Sequence, residues 1–133
     1  MLTIPGKIVR GLGAASQTLI FQMPHFVESH PELAKCSPRT INVILECQLE
    51  VISPSFVIGP IHWHPRERPE MFSFRSIVFE LNQPKVESDA WIYLPYNSPH
   101  RTNPFYAEIL APELQLDDAT ACKIRLNAGK VFA

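Results

Sequence analysis

β-Branched and aromatic residues dominate the stretch FSFRSIVFEL at residues 72–81. Such side chains fit the pleated, half-buried surface of a strand, and this is the longest strand-like run in the chain. Runs of the same type also occur at residues 3–10, 18–23, 40–47, 49–52, 90–95, 105–111 and 121–126. About eight short strands at this spacing predict a mainly β domain with the architecture of a barrel or a sandwich.

Proline limits the helices of this chain. Thirteen prolines are spread through 133 residues, and each removes a backbone donor and clashes with the preceding helical turn. The best helix candidate is residues 24–34, where Pro24 fits the first turn and Phe26 and Leu33 share an apolar stripe. We therefore expect one short helix.

Length and composition indicate a single globular domain over residues 1–133. A chain of this size buries about two thirds of its unfolded surface, and 46% hydrophobic with 19% charged residues is ordinary for such a domain. No apolar run approaches the ~20 residues that span a bilayer, and the N-terminal sequence lacks the order of a signal peptide. We expect a cytoplasmic protein with no membrane partner.

Charge and cysteine content argue against two classes of function. The 12 basic and 13 acidic residues are scattered and give a net charge of −1, so the chain lacks the electrostatic footprint of a nucleic-acid-binding protein. Cys36, Cys47 and Cys122 are odd in number and far apart, which argues against a disulfide framework and a zinc knuckle. We expect reduced thiols and a small-molecule partner, and the sequence specifies no oligomeric state.

Small residues follow the first predicted strand, in the segment GKIVRGLGAAS at residues 6–16. Glycines after a strand let the backbone approach a ligand and turn N–H groups toward phosphate oxygens. The segment is neither a complete G-x-G-x-x-G nor a P-loop motif. It is therefore either a phosphate cradle or an ordinary loop.

Two polar side chains share one face of the strand predicted at residues 40–47. In PRTINV, residues 38–43, strand alternation places Thr40 and Asn42 on the same side. A hydroxyl and an amide oxygen suit a hard cation such as Mg²⁺ that takes its other ligands from phosphates and water. The alternative is a structural pair bonded to a neighbouring turn.

Two further segments carry titratable side chains. Glu108 lies within the apolar run FYAEILAP at residues 105–112. Burial there would raise the pKa of the carboxyl group and make it suitable as a general base. The alternative is a glutamate on a solvated strand face. His62 and His64 share a strand face in IHWH, but zinc needs a third protein ligand that the sequence does not specify. We expect these histidines at a surface rim.

The order and spacing of these segments resemble the archaeal CTP-dependent riboflavin kinases, which phosphorylate riboflavin to FMN. That family opens with G-x-V-V-x-G-L-G, to which residues 6–13 correspond, and continues with a P-G-T-L-N-V-like strand, to which residues 38–43 correspond. Its late E-I-I-A-P strand corresponds to residues 108–112. The resemblance implies a small six-stranded cradle-loop β-barrel with one short helix.

The resemblance also implies a nucleotide and metal site. Thr40 and Asn42 would hold Mg²⁺ beside the phosphates of CTP or another nucleoside triphosphate. Arg39 stands where the family has a small residue, and it would either clamp a phosphate or simply fill the site. The nucleotide phosphates would be lined by Gly11, Leu12, Gly13, Ala14, Ala15 and Ser16.

The acceptor site implied by the resemblance centres on Glu108. This carboxylate would meet the ribityl end of riboflavin and accept or orient the proton of its 5′-hydroxyl, while His100 and Thr102 would contact the flavin. Since positioning and charge neutralisation supply most of phosphoryl-transfer catalysis, little covalent chemistry is required of the protein.

An alternative function follows from departures in the phosphate turn. Ala14 and Ala15 stand where the family has Glu and Gly, and the segment after Pro112 lacks the family's Gly-Asp turn. The same barrel without catalysis would bind a flavin, a nucleotide or another small ligand. Similar barrels also form DNA-binding dimers, but the near-neutral charge argues against that function.

Overall fold

The computed structural model describes residues 2–9, 14–50, 54–66, 68–82, 85–95, 104–114, 116, 121–126 and 130–132. In chain order, its elements are β1 (Leu2–Val9), α1 (Ala14–Ser29), a 3-10 helix (Pro31–Lys35), β2 (Ile41–Leu45), β3 (Gln48–Glu50), β4 (Phe56–Ile61), β5 (Glu70–Asn82), β6 (Lys85–Pro95), β7 (Tyr106–Leu110), β8 (Ala121–Leu126) and β9 (Lys130–Phe132). Neither helix of these ranges is long and apolar enough to cross a membrane.

Six of the described strands close into an antiparallel ring. Their order is β5-β6-β7-β2-β1-β8, and the ring closes because β8 pairs with β1 on one side and with β5 on the other. β4 pairs with the first half of β5, and β8 pairs with the second half along the same edge. β3 and β9 form a separate two-stranded sheet. The ring confirms the predicted mainly β fold and is consistent with a small six-stranded barrel.

The interior of the ring is apolar. Strand alternation directs every second side chain inward, and the inward side chains of neighbouring strands pack into one continuous core. Its buried members are Ile4, Val43, Leu45, Ile77, Phe79, Leu81, Ala90, Ile92, Ala107, Ile109, Ala111, Cys122, Ile124 and Leu126.

A second apolar layer lies between the outer face of the ring and helix α1. Phe26 of α1 is fully buried, and its ring packs edge-on against Phe72 at 4.9 Å and Phe74 at 5.1 Å. Leu19 from α1 and Leu33 from the 3-10 helix are also fully buried in this layer. The outer face of β5 and β6 is therefore a second core, and α1 is held against it.

The helix differs from its predicted position. The strand predicted at residues 18–23 is wrong, because these residues lie inside the 16-residue α1, and the helix predicted at 24–34 is shifted by ten residues at its start. Leu19, Gln22 and Phe26 are all buried and lie on one face at helical spacing. Burial of that face against the sheet outweighs the strand preference of the individual side chains.

The edge strand β4 was missed because its sequence, FVIGPI, contains Gly and Pro. Gly59 has a φ of +130°, and a Cβ atom there would lie 2.7 Å from the carbonyl oxygen of Glu70. Pro60 donates no hydrogen bond, which restricts it to edge strands. Both residues therefore fit β4, which pairs with β5 on one side and has no other strand partner among the described residues.

Candidate functional site

Asn42 and Glu108 lie directly opposite each other on β2 and β7. Their neighbours Val43 and Ile109 are fully buried in the interior of the ring. Since side chains alternate along a strand, Asn42 and Glu108 both point to the outer face. The residues predicted as metal ligand and catalytic base therefore meet across one strand pair.

Thr40 adds a second oxygen to this group. Its hydroxyl donates to Oδ1 of Asn42 over 3.4 Å, so the two oxygens lie together as expected for a strand face. Mg²⁺ binds oxygen ligands at about 2.0–2.1 Å, and two adjacent oxygens suit neighbouring positions of its shell. In the part of the chain that is described, no three His, Cys, Asp or Glu side chains form a metal-binding group. A metal ion at this pair would therefore have to take its remaining ligands from phosphates and water.

Glu108 is a half-buried carboxyl group on the outer face. Burial raises its pKa from the ordinary value of 4.5 to about 7, because desolvation disfavours the charged form. A carboxyl group with a pKa near neutrality both holds and releases a proton under physiological conditions. It therefore has the property required of a general base for a hydroxyl group.

Two tyrosines accompany Glu108. Tyr93 lies on β6 close to Glu108, and the pKa of Tyr93 is raised first by burial and then by the negative charges of Glu108 and Glu70. Tyr106 lies two positions before Glu108 on the same face of β7, and burial and the charge of Glu108 raise its pKa as well. Both phenols therefore stay protonated near the carboxylate.

The site is tied to helix α1 through Gln22. The hydroxyl of Tyr93 donates a hydrogen bond of 2.6 Å to Oε1 of Gln22, and both side chains are buried. A buried amide in an otherwise apolar helix face needs such a partner. Helix α1 is therefore joined through Gln22 and Tyr93 to β6, the strand next to Glu108.

A groove of about 260 Å³ opens next to Thr40. Arg39 at its rim forms an exposed ion pair with Glu113 over 2.7 Å and donates from Nε to the hydroxyl of Ser37 over 3.3 Å. The groove is lined by Ser37, Arg39, Thr40, Ile41, Ala111, Pro112, Glu113, Leu114 and Leu116. A guanidinium group is thus held at the mouth of a cavity beside the predicted cation ligands.

The other predicted site residues are placed only in part. Ala14, Ala15 and Ser16 form the first turn of α1, so the small-residue segment leads into a helix. The remaining predicted residues, Gly11, Leu12, Gly13, His100 and Thr102, lie outside the described residues.

The two histidines expected at a rim lie after β4. His62 is exposed and His64 is half-exposed. The prediction that they share a strand face is wrong, because β4 ends at Ile61 and both histidines lie in the loop that follows.

Sequence reasoning missed the residues that surround Glu108. Tyr93 was recognised only as part of a strand, and Gln22 was placed in a strand that does not exist. One signal was available for Gln22, because it is a single amide among apolar residues at helical spacing. Tyr93 carries no comparable signal, since its place beside Glu108 depends on the pairing of β6 with β7.

A scan of the chain against protein-family models gives no match, and a search of curated proteins gives none either. The function is therefore inferred from the geometry of the chain and from the short motifs of its sequence.

Proposed function

We propose that this protein is a Mg²⁺-dependent riboflavin kinase, which transfers the terminal phosphoryl group of a nucleoside triphosphate to riboflavin. CTP is the donor in the family that the sequence resembles. The observation that carries the proposal is Glu108, a half-buried carboxyl with a pKa of about 7 directly opposite Asn42. A base active near neutrality, beside oxygen ligands for a cation, is what phosphoryl transfer to a hydroxyl group requires.

In the proposed reaction, Glu108 accepts the proton of the ribityl 5′-hydroxyl while the oxygen of that hydroxyl attacks the γ-phosphorus. A new O–P bond forms, the bond from the γ-phosphorus to the bridging oxygen breaks, and a nucleoside diphosphate leaves. Tyr93 and Tyr106 stay protonated near the carboxylate, so neither adds a negative charge there. Positioning of the hydroxyl against Glu108 supplies much of the rate.

Three groups of the chain would hold the donor. Thr40 and Asn42 would bind Mg²⁺, which neutralises phosphate charge when it is bound. The guanidinium of Arg39 fits phosphate oxygens. Helix α1 begins at Ala14, and the N–H groups of a first helical turn lack intrahelical acceptors and suit phosphate.

The proposal includes a cytoplasmic location. Cys36, Cys47 and Cys122 are free thiols, as is usual in a reducing compartment. A kinase that uses a nucleoside triphosphate would find its donor there.

The direct test is an assay of FMN formation from riboflavin with CTP or ATP in the presence of Mg²⁺. Wild-type protein is expected to produce FMN, and Glu108→Gln should lower kcat by about 10²-fold or more, because general bases contribute at least that factor. Asn42→Ala should raise the Mg²⁺ concentration needed for half-maximal rate. Glu32→Gln, an exposed carboxylate on the 3-10 helix, is the matched control and should leave the rate unchanged.

The assay also distinguishes the alternative function. Binding of riboflavin or a nucleotide without FMN formation would identify a catalytically inactive barrel that retains its ligand site. If FMN forms equally well in wild type and Glu108→Gln, Glu108 is not the general base. If neither riboflavin nor a nucleotide binds, the proposed function is wrong altogether.

A further inference from the structure

Three aromatic rings lie close together between helix α1 and the loop after β4. Phe21 of α1 is 57% exposed, and its ring meets that of His64 edge-on at 6.5 Å. The centre of the Trp63 ring lies 5.8 Å from that of His64, and the two rings are tilted by 58°. Large aromatic side chains grouped at a surface mark binding sites more often than isolated ones do.

Two hydrogen bonds hold the loop residues in place. The indole N–H of Trp63 donates to Oε1 of Glu70 over 3.3 Å, and Glu70 is only 7% exposed. The backbone N–H of Arg66 donates to Nδ1 of His64 over 3.1 Å. That bond places the proton of a neutral His64 on Nε2. The rings of Trp63 and His64 are therefore preorganised before any ligand binds.

The aromatic group is connected to the candidate active site through Glu70. Glu70 accepts from Trp63, and its charge and that of Glu108 both act on the hydroxyl of Tyr93. Phe21 directly precedes Gln22, whose side chain accepts the hydrogen bond of Tyr93. Glu70, Tyr93 and Gln22 therefore connect the three rings to the strand next to β7, on which Glu108 lies.

We propose that Phe21, Trp63 and His64 form a stacking platform for the planar ring of the acceptor. The inference rests on the proposed function, in which the acceptor carries a flat tricyclic ring at one end and the reacting hydroxyl at the other. The ring stacks at the platform, and the ribityl chain extends from it toward Glu108. Exposed aromatic side chains stack on such rings without requiring a particular hydrogen-bond pattern.

The test is a titration that follows flavin fluorescence, which stacking on aromatic side chains quenches. The probes are riboflavin and lumichrome, which has the tricyclic ring but no ribityl chain. Phe21→Leu keeps an apolar side chain and removes the ring, so it should raise the Kd for both probes about tenfold, as expected for the loss of one stacked ring. His64→Ala should act in the same direction.

Two matched variants separate stacking from other effects. Ile20→Ala shortens a side chain that is 60% exposed on the same helix, and it should leave both Kd values unchanged. Glu108→Gln should leave the Kd of lumichrome unchanged, because the ring does not reach Glu108. Since Phe21 and Ile20 are exposed, both helix variants are expected to fold as the wild type does.

The outcomes separate the platform from the kinase. If riboflavin binds equally well to wild type, Phe21→Leu and His64→Ala, the platform is wrong and the proposed function is unaffected. If lumichrome binds through Phe21 and His64 but no FMN forms, the platform is supported and the kinase is wrong. If wild-type protein binds neither probe, both are wrong.

Discussion

The hydroxyl of Tyr93 donates a 2.6 Å hydrogen bond to Oε1 of Gln22, and this bond joins the sheet to helix α1 inside a buried layer. Gln22 is 2% exposed and Tyr93 is 3% exposed. Because water does not reach either group, each depends on the other for its hydrogen bond. The position of α1 on the sheet therefore depends on this buried polar contact as well as on the packing of Phe26.

Removal of either partner of this contact should destabilise the fold. Tyr93→Phe leaves the oxygen of Gln22 without this donor, and Gln22→Leu leaves the phenol without this acceptor, so each should lower the free energy of unfolding by about 1–3 kcal/mol. The double variant leaves neither group without its partner, so its free energy of unfolding should fall by less than the sum of the two single changes. Urea denaturation of the four proteins measures this, and strict additivity would show that the bond contributes nothing.

The raised pKa of Glu108 should make stability depend on pH. Between about 4.5 and about 7, folded Glu108 keeps a proton that the unfolded chain has released, so the free energy of unfolding falls as the pH rises through this range. Glu108→Gln lacks this titration. Its stability relative to wild type should therefore increase from pH 5 to pH 8, as denaturant unfolding at each pH would show. A constant difference would mean that the carboxyl titrates normally.

The same ionisation should govern the rate of the proposed reaction. Only the deprotonated carboxylate accepts a proton, so kcat/KM should rise with pH and reach half its maximum near pH 7. A pH profile of FMN formation measures this. A rate that is independent of pH between 5 and 8 would remove Glu108 from the chemical step.

Substitutions of Arg39 and Glu113 should have opposite effects on nucleotide binding. Their ion pair is exposed on both sides, so Arg39→Ala and Glu113→Ala should each change the free energy of unfolding by less than about 1 kcal/mol. Arg39→Ala removes a cation from the groove and should weaken triphosphate binding. Glu113→Ala removes a competing carboxylate and should strengthen it. Calorimetric titration with CTP checks both signs, and equal effects would exclude a phosphate contact for Arg39.

Substitution of Phe26 should strongly lower the free energy of unfolding. Its fully buried ring contacts Phe72, Phe74 and Tyr93, so Phe26→Ala should lower the free energy of unfolding by about 3–5 kcal/mol. Phe21→Ala on the exposed face is the control and should change it by about 0.5 kcal/mol or less. Thermal or denaturant unfolding of both variants tests whether α1 packs on the sheet as described.

Strands with regular alternation were predictable from the sequence. β8 was predicted at residues 121–126 with its observed bounds, because buried Cys122, Ile124 and Leu126 alternate with more exposed residues. The first half of β6 was missed, since four of the five residues from Lys85 to Asp89 are polar and this segment lies at the end of a long hairpin. Such residues pair because β5 extends beside them, which a local pattern does not reveal.

The candidate site was predictable only where residues share one strand. Thr40 and Asn42 are two positions apart, so alternation alone places them together. Their meeting with Glu108 depends on the register of β2 and β7, which the sequence does not specify. The contact of Gln22 with Tyr93 joins positions 71 residues apart and requires the packed fold.

The closure of the ring by β8 has a consequence for biosynthesis. Until residues 121–126 have left the ribosome, β1 and β5 each lack the neighbour that completes their pairing. A nascent chain at that stage presents two unpaired edges, which are sites for misassembly with other chains. We expect chaperones that shield strand edges to engage this chain before β8 emerges and to release it afterwards.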